Sequence, residues 1–98
     1  MTWAARHILS LSMGTPVQFR PHGNSMSGRI NDGDLVTVVP CNAEEVTIDD
    51  VVLCRVRGCD YLHIVKAVRP RQVLIGNNKG KINGWTSQVY GRVVEVAP

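Results

Sequence analysis

The sequence predicts a mainly β fold with one short helix at its N-terminus. Apolar residues recur at helical spacing over residues 2–13. After Pro16 the chain becomes a series of short runs rich in β-branched residues, and Gly, Pro, Asn and Asp separate these runs. With 98 residues, 44% of them hydrophobic and 19% charged, the chain has the size and composition of one globular domain. We therefore expect a single domain over residues 1–98, too small for most large enzyme folds.

The N-terminal helix is predicted within residues 1–14. Its apolar and small side chains at helical spacing are Ala4, Ala5, Ile8, Leu9, Leu11 and Ser12. Thr2 is the candidate N-cap, since a threonine hydroxyl can accept a hydrogen bond from a free N–H of the first turn. Gly14 and Pro16 are the predicted stop.

Six strands are predicted in a β region over residues 17–96. Their ranges are 17–20, 35–39, 51–56, 61–68, 72–76 and 89–96. The tetrapeptide Arg57-Gly58-Cys59-Asp60 contains residues that favour tight turns, so we expect a hairpin between the third and fourth strands. The spacing of strands and turns is typical of a compact, mostly antiparallel β fold.

Charge does not favour a nucleic-acid partner. Eleven Lys and Arg against eight Asp and Glu give a formal net charge of +3. The arginines are scattered among apolar runs, as shown by Arg20, Arg29, Arg55, Arg57, Arg69 and Arg92. A duplex-binding domain of this size usually concentrates its basic residues on one face, so direct nucleic-acid binding is disfavoured.

The cysteines and the N-terminal residues bear on the compartment. Cys41, Cys54 and Cys59 cannot all pair within one chain, which favours a reducing compartment and hence the cytoplasm. Arg6 and His7 interrupt the apolar opening stretch, so we expect neither a membrane span nor a secretory signal.

A metal site is not predicted. Cys54, Cys59 and His63 would need Cys41 or His22 as a fourth ligand, and this spacing is not that of a zinc knuckle. No motif calls for another cofactor, so we expect none.

Two further polar features have simple structural interpretations. Asp34 and Asp50 stand just before predicted strands, where carboxylates accept backbone N–H bonds, and we do not expect them to form an acid–base pair. Residues 77–85 are polar, basic and rich in glycine, a composition that could bind phosphate or a peptide. We favour an exposed hairpin loop anchored by Trp85.

The candidate for chemistry is Ser25. It follows Gly23 in the loop between the first two predicted strands, and a serine placed at the lip of a sheet can act as a nucleophile. A glycine two residues before a serine is common in sequences, so by itself this spacing also fits an ordinary polar loop.

Five ordered segments change that interpretation. They are Gly23-Asn24-Ser25-Met26, then Gly33-Asp34-Leu35-Val36 preceded by Ile30, then Asp49-Asp50-Val51-Val52, Leu74-Ile75-Gly76-Asn77-Asn78 and Tyr90-Gly91-Arg92-Val93-Val94. Together they resemble the superfamily that joins LexA-type self-cleaving repressors and signal peptidase I. The resemblance covers residues 17–96 and implies the compact β fold of that superfamily.

The resemblance implies that Ser25 is a nucleophile activated by a base on the fourth predicted strand. His63 and Lys66 are the candidates, and three residues apart they project from opposite faces of a strand. The eleven-residue interval from His63 to Leu74 matches the family's spacing, and a neutral imidazole can accept a proton at neutral pH. We favour His63, which should share a face with Tyr61 and Val65, and keep Lys66 as the alternative.

The remaining parts of the implied site are supporting groups. Backbone N–H groups around Ser25 would form the oxyanion hole, with Gly23, Asn24 and Met26 shaping the loop. Asn77 and Asn78 stand where the histidine-type signal peptidases have an aspartate, so either could orient the imidazole without adding charge.

The resemblance supports three hypotheses for function. Only 22 residues precede Gly23, so we do not expect the repressors' DNA-binding domain. We do not expect the signal peptidases' membrane anchor either, because these residues hold no uninterrupted apolar span. The first hypothesis is a serine peptidase that uses Ser25 and His63 on an extended peptide bound as an added strand. The alternatives are a non-catalytic module that binds a peptide or partner, and a truncated repressor-type regulator. Homodimerisation is compatible with all three.

Overall fold

The computed structural model describes residues 2–98; Met1, the first residue of the predicted N-terminal segment, lies outside the described residues. The fold is mainly β, as predicted, with one short helix, α1, at Ala5–Ser12. Seven strands follow it: β1 Val17–Phe19, β2 Leu35–Pro40, β3 Val51–Val56, β4 Cys59–Arg69, β5 Gln72–Gly76, β6 Ile82–Thr86 and β7 Gln88–Ala97.

The strands form one antiparallel sheet in the order β1-β2-β7-β3-β4-β5-β6. The sheet is strongly curled. This is shown by the contact between β3 and β6, which two strands separate in the sheet order. Thr86 Oγ1 on β6 donates to the backbone oxygen of Arg55 on β3 across 2.6 Å. This curl brings elements far apart in the sheet order to one site.

The predicted hairpin between β3 and β4 is present. Val56 pairs with Cys59, which leaves Arg57 and Gly58 as a two-residue turn. Both turn residues have positive φ, 51° and 80°, the conformation that two-residue hairpins favour because it matches the strand twist. This register pairs His63 with Val52 and fixes its place in the sheet.

Apolar side chains cover both faces of the sheet. The first core contains residues of α1, of the β1–β2 loop and of one face of the strands: Ala4, Leu11, Met26, Ile30, Val36, Val38, Val51, Leu53, Leu62 and Ile64. The second core lies inside the curl: Ala43, Val46, Val52, Cys54, Val56, Val65, Val73, Ile75 and Val89. Consecutive residues of β3 alternate between the two cores, as period-2 geometry requires.

The predicted N-cap is wrong. The helix begins at Ala5, and the N-cap residue Ala4 makes no side-chain capping bond. Thr2 instead donates its hydroxyl to Asp60 Oδ2 over 2.6 Å, because the curl of the sheet brings β4 beside the N-terminus. The predicted stop is present, since Gly14 adopts a φ of 86°. Within residues 2–98, no helix has the length and apolar character needed to cross a membrane.

The predicted loop over residues 77–85 is also wrong in part, because residues from Ile82 onward form β6. Leu74 pairs with Trp85 and Ile75 with Gly84, so backbone bonds to β5 hold this segment. Its own sequence has weak strand propensity, and the pairing with β5 outweighs it.

Candidate active site

Ser25 and His63 meet at the mouth of a cleft. Ser25 lies on the loop between β1 and β2, and His63 lies on β4. Ser25 Oγ is 3.3 Å from His63 Nε2. The serine is exposed, whereas only 7% of the histidine surface is exposed. The geometry is that of a hydroxyl within reach of a general base.

Asn83 holds the other ring nitrogen of His63. Its side-chain oxygen lies 2.7 Å from Nδ1. Since an amide oxygen only accepts hydrogen bonds, Nδ1 must carry the ring proton, which leaves the lone pair of Nε2 for the Ser25 hydroxyl. This tautomer is the one that a general base requires.

The sequence prediction for the orienting residue is therefore wrong, since neither Asn77 nor Asn78 makes a hydrogen bond to the imidazole. Asn77 Oδ1 accepts the backbone N–H groups of Lys79 and Lys81, at 2.8 and 3.0 Å, and shapes its own turn. Asn83 was missed because it belongs to β6, which the polar composition of residues 77–85 concealed. Ile82 and Trp85, which flank Asn83, are residue types that favour strands, but two such residues in a polar segment predict a strand only weakly.

Asn78 instead braces the loop that carries the nucleophile. Its backbone N–H donates to the oxygen of Ser25 over 3.0 Å, and its side-chain Nδ2 donates to the oxygen of Ser27 over 2.8 Å. Gly28 packs closely here, because a methyl group at this position would lie 3.3 Å from Asn78 Nδ2. The turn after β5 thus supports Ser25 from a distance of about fifty residues along the chain.

Burial lowers the pKa of His63 below its ordinary value of 6.5. The positive charge of Lys81 lowers this pKa further, and the bond to Asn83 opposes both effects. The Tyr61 ring stacks on the imidazole with centroids 4.9 Å apart and limits access of water to it. His63 is therefore neutral, and able to accept a proton, at pH 7.

Lys66 makes no hydrogen bond to Ser25, whose hydroxyl contacts His63. A methyl group at Gly76 would lie 3.1 Å from Lys66 Cε, which places the lysine on the face of β4 opposite to His63. His63 shares its face with Tyr61 and with Val65 of the second core, as strand parity predicts. The irregularity in β4 lies between Val65 and Ala67, beyond His63, so it leaves the parity from 61 to 65 intact.

The nucleophile loop, residues 23–34, is fixed at both ends. Gly23 has a φ of 106°, and its N–H donates to Asp32 Oδ1 over 2.8 Å. Met26 and Ile30 are buried in the first core, 6% and 3% exposed. The loop thus presents Ser25 to solvent while its apolar side chains anchor it beneath.

The two aspartates assigned to turns have that role. Asp34 Oδ2 accepts the N–H of Asn31, and Asp50 Oδ2 accepts the N–H of Thr47, each over 2.9 Å. Each carboxylate stabilises the turn that leads into a strand.

Backbone donors near the serine are available for an oxyanion. The N–H groups of Ser25 and Met26 meet no acceptor within residues 2–98. Gly23 cannot contribute, since its N–H is bound to Asp32. Asn24 supports the loop through its backbone oxygen, which accepts the Ser27 hydroxyl over 2.8 Å. Two free N–H groups beside a nucleophile can stabilise developing negative charge.

A cleft of about 460 Å³ opens beside the pair. Its walls come from α1, from β1 and the residues after it, and from the start of β4. They include Trp3, His7 and Phe19 on one side and Tyr61 and Leu62 on the other. This is large enough to hold a side chain of a bound peptide.

Metal-ligating side chains are not assembled in the part of the chain that the structure describes. Across residues 2–98, no three His, Cys, Asp or Glu side chains form a group that could hold a metal ion. Cys41, Cys54 and Cys59 are free thiols, and burial together with Asp60 raises the pKa of Cys54 to about 12. Cys54 is thus an inert core residue rather than a nucleophile.

Comparison with protein-family models and with curated proteins gives no match to this chain.

Proposed function

We propose that the protein is a serine peptidase that acts on an extended peptide, with Ser25 as nucleophile, His63 as general base and Asn83 as the residue that positions His63. The observation that carries this proposal is the continuous chain of contacts from Ser25 Oγ through both ring nitrogens of His63 to Asn83. The ordered segments that resemble the LexA and signal peptidase superfamily support it independently.

The geometry suits acyl transfer. Ser25 Oγ attacks the scissile carbonyl carbon while His63 Nε2 accepts its proton. The free N–H groups of Ser25 and Met26 stabilise the oxyanion. His63 then donates the proton to the leaving amine, and water activated by the same nitrogen hydrolyses the ester on Ser25. Since Asn83 carries no charge, it fixes the imidazole but stabilises imidazolium less than a carboxylate would, so we expect slow turnover.

The sheet offers a place for an extended peptide. Within residues 2–98, β1 pairs only with β2 and forms one edge of the sheet. The chain runs on from β1 through Arg20 and Pro21, which line the cleft, towards Ser25. A peptide that adds a strand at this edge would pass the hydroxyl of Ser25.

A non-catalytic binding module of the same architecture is the second candidate. The observation that favours it is the amide of Asn83, which cannot offer the charge that most triads use. In that case Ser25 is a polar group in the lining of a peptide groove.

The test is cleavage of a fluorescently labelled, unfolded casein by the purified protein and five variants. Ser25→Ala and His63→Ala should each reduce the rate by about 10³-fold or more, and the double variant should lose little more, because a dyad acts as a unit. Ser87→Ala is the matched control, an exposed serine outside the cleft, and Lys66→Ala tests the alternative base; both should retain the rate. Undiminished cleavage by Ser25→Ala would overturn the proposal.

A further inference from the structure

One wall of the cleft is built from aromatic side chains. The Phe19 ring stacks on the His7 ring with centroids 4.2 Å apart and an interplanar angle of 19°. The Trp3 ring packs against Phe19 at 5.8 Å in a tilted arrangement. Tyr61 and Leu62 face this group from β4. We call Trp3, His7 and Phe19 the aromatic wall.

The only carboxylate among the residues that line the cleft, within the described chain, is already satisfied. Asp60 Oδ1 accepts from Arg55 Nε over 2.8 Å, and Asp60 Oδ2 accepts the Thr2 hydroxyl over 2.6 Å. Its side chain is only 1% exposed, and the pairing with Arg55 lowers its pKa. Asp60 therefore holds the N-terminal residues against β4, and it does not present a charge to a cationic side chain.

The aromatic wall itself is neutral. Partial burial lowers the pKa of His7 below its ordinary value, so the ring is uncharged at pH 7. Arg20 directs its guanidinium to the backbone oxygen of Gly33, over 2.6 Å, which ties it to the nucleophile loop. A cationic peptide side chain entering the cleft would lose hydration without gaining a partner, because Asp60 is already paired.

The aromatic surface is incompletely covered by the protein. Trp3 remains 52% exposed although it packs against Phe19. The cleft of about 460 Å³ reaches Ser25 and His63, so a side chain beside the reacting carbonyl can fill it. A methyl group would leave most of this space to water, whereas an aromatic ring buries a large area and packs favourably on other rings.

We propose that the cleft takes a large apolar or aromatic side chain of the peptide residue next to the scissile bond, and that the protein selects such residues over small or cationic ones. This inference rests on the proposed function for its link to cleavage. The aromatic wall supplies the selectivity. Asp60 stabilises the wall, because its bond to Thr2 holds the N-terminal residues against β4.

The first test uses two peptidyl phosphonate diphenyl esters that differ only in the side chain beside phosphorus, benzyl in one and methyl in the other. Ser25 Oγ forms a bond to phosphorus, phenoxide leaves, and His63 accepts the hydroxyl proton. Intact mass measures the rate of modification. We expect the benzyl reagent to react at least about tenfold faster, the order of discrimination that apolar pockets achieve.

The outcomes separate the two proposals. If both reagents modify Ser25 at equal rates, or the methyl reagent is faster, the selectivity is wrong while the nucleophile stands. If neither reagent modifies Ser25, the peptidase proposal fails, and a binding measurement then decides the selectivity. That measurement uses the Ser25→Ala/Trp85→Phe variant, in which Trp3 is the single tryptophan and its emission reports on the cleft.

In the binding measurement, acetylated tripeptide amides Ala-Phe-Ala and Ala-Ala-Ala are titrated separately. We expect the Phe peptide to change Trp3 emission at an at least about tenfold lower concentration than the Ala peptide. An equal response to both peptides, or no response to either, would overturn the selectivity.

A matched pair of tryptophan substitutions tests whether the aromatic wall causes the selectivity. Trp3→Ala should reduce the ratio of benzyl to methyl reaction rates by about fivefold or more, because it removes the exposed part of the aromatic wall. Trp85 lies outside the cleft, with the Arg69 guanidinium 4.0 Å from its ring centre, so Trp85→Ala should leave the ratio unchanged. Equal ratios in the two variants would contradict the assignment of the wall.

Discussion

His63 and Ser25 are held by different kinds of structure. His63 lies in a regular ladder, where it pairs with Val52 of β3, and β4 pairs with β5 from the next residue, Ile64, onward. Ser25 lies in a loop fixed by single hydrogen bonds and by two buried side chains, Met26 and Ile30. The position of the base therefore depends on the sheet as a whole, whereas the position of the nucleophile depends on a few local contacts.

The difference predicts how the site can fail. Loss of one bond in a ladder is shared by its neighbours, so His63 should move only when the sheet itself is disturbed. Ser25 should be displaced by changes in the turn after β5 that cost little global stability. Asn83 lies on β6 at the irregularity in its pairing with β5, so its position depends on local contacts as well as on the sheet. Its side-chain oxygen contacts His63.

Among the residues that hold Ser25 and His63 in place, Asn83 is expected to have the largest effect. Asn83→Ala removes the acceptor for Nδ1, frees the ring to rotate and change tautomer, and should lower kcat about 10- to 100-fold, as loss of a group that orients an imidazole does elsewhere. Asn83→Asp keeps the acceptor and adds a negative charge, which should raise the pKa of His63 and move the rise of the rate to higher pH. Rates measured against pH for both variants check this, and an unshifted profile for Asn83→Asp would contradict the contact.

The next largest effect is expected for Gly76→Ala. A methyl group at this position would lie 2.7 Å from the backbone oxygen of Lys81, so the turn that braces Ser25 must shift. We expect a loss of about 1–3 kcal/mol in the free energy of unfolding, measured with urea, and at least a tenfold lower cleavage rate. Gly58→Ala is the control, since it meets no atom within 4 Å but has a φ of 80°. Gly58→Ala should lower the free energy of unfolding by about 1–2 kcal/mol without changing the cleavage rate. An equal loss of rate in both variants would show that Ser25 is not positioned by the turn after β5.

Asn78→Ala should have the smallest effect. It removes the bond to the oxygen of Ser27 but keeps the backbone bond to Ser25, so we expect a loss of about 0.5–1.5 kcal/mol and a cleavage rate lowered about two- to fivefold. Asn42→Ala is the matched control, because the side chain of this exposed asparagine likewise makes one hydrogen bond to the backbone, accepting the N–H of Glu44 in a turn away from the cleft. It should show a similar stability change and an unchanged rate; a lower rate for Asn42→Ala would point to a general effect of stability.

The elements that local sequence determines could be predicted, and the others could not. β3 and β5 were predicted residue for residue, because both are β-branched-rich runs bounded by turn residues. The hairpin at Arg57 and Gly58 follows from turn chemistry alone. β6 escaped prediction because its stability comes from pairing with β5 rather than from its own residues.

The same contrast holds for the site. The proximity of Ser25 and His63 was expected from the resemblance of five ordered segments to the LexA and signal peptidase superfamily. The contact of Asn83 with His63 requires the curl of the sheet, and the bond of Thr2 to Asp60 requires the same curl. No local pattern encodes such contacts, so the orienting residue and the helix cap were both assigned wrongly.

The most direct measurement of the central claim is the pH dependence of Ser25 modification by diisopropyl fluorophosphate, followed by intact mass from about pH 4.5 to 9. Because burial and Lys81 lower the pKa of His63, the rate should rise through one ionisation below the ordinary imidazole value of 6.5 and stay level above it. Lys66→Ala should reproduce this profile, and His63→Ala should abolish the modification. A rate that keeps rising above pH 8, or modification that persists in His63→Ala, would show that His63 is not the base.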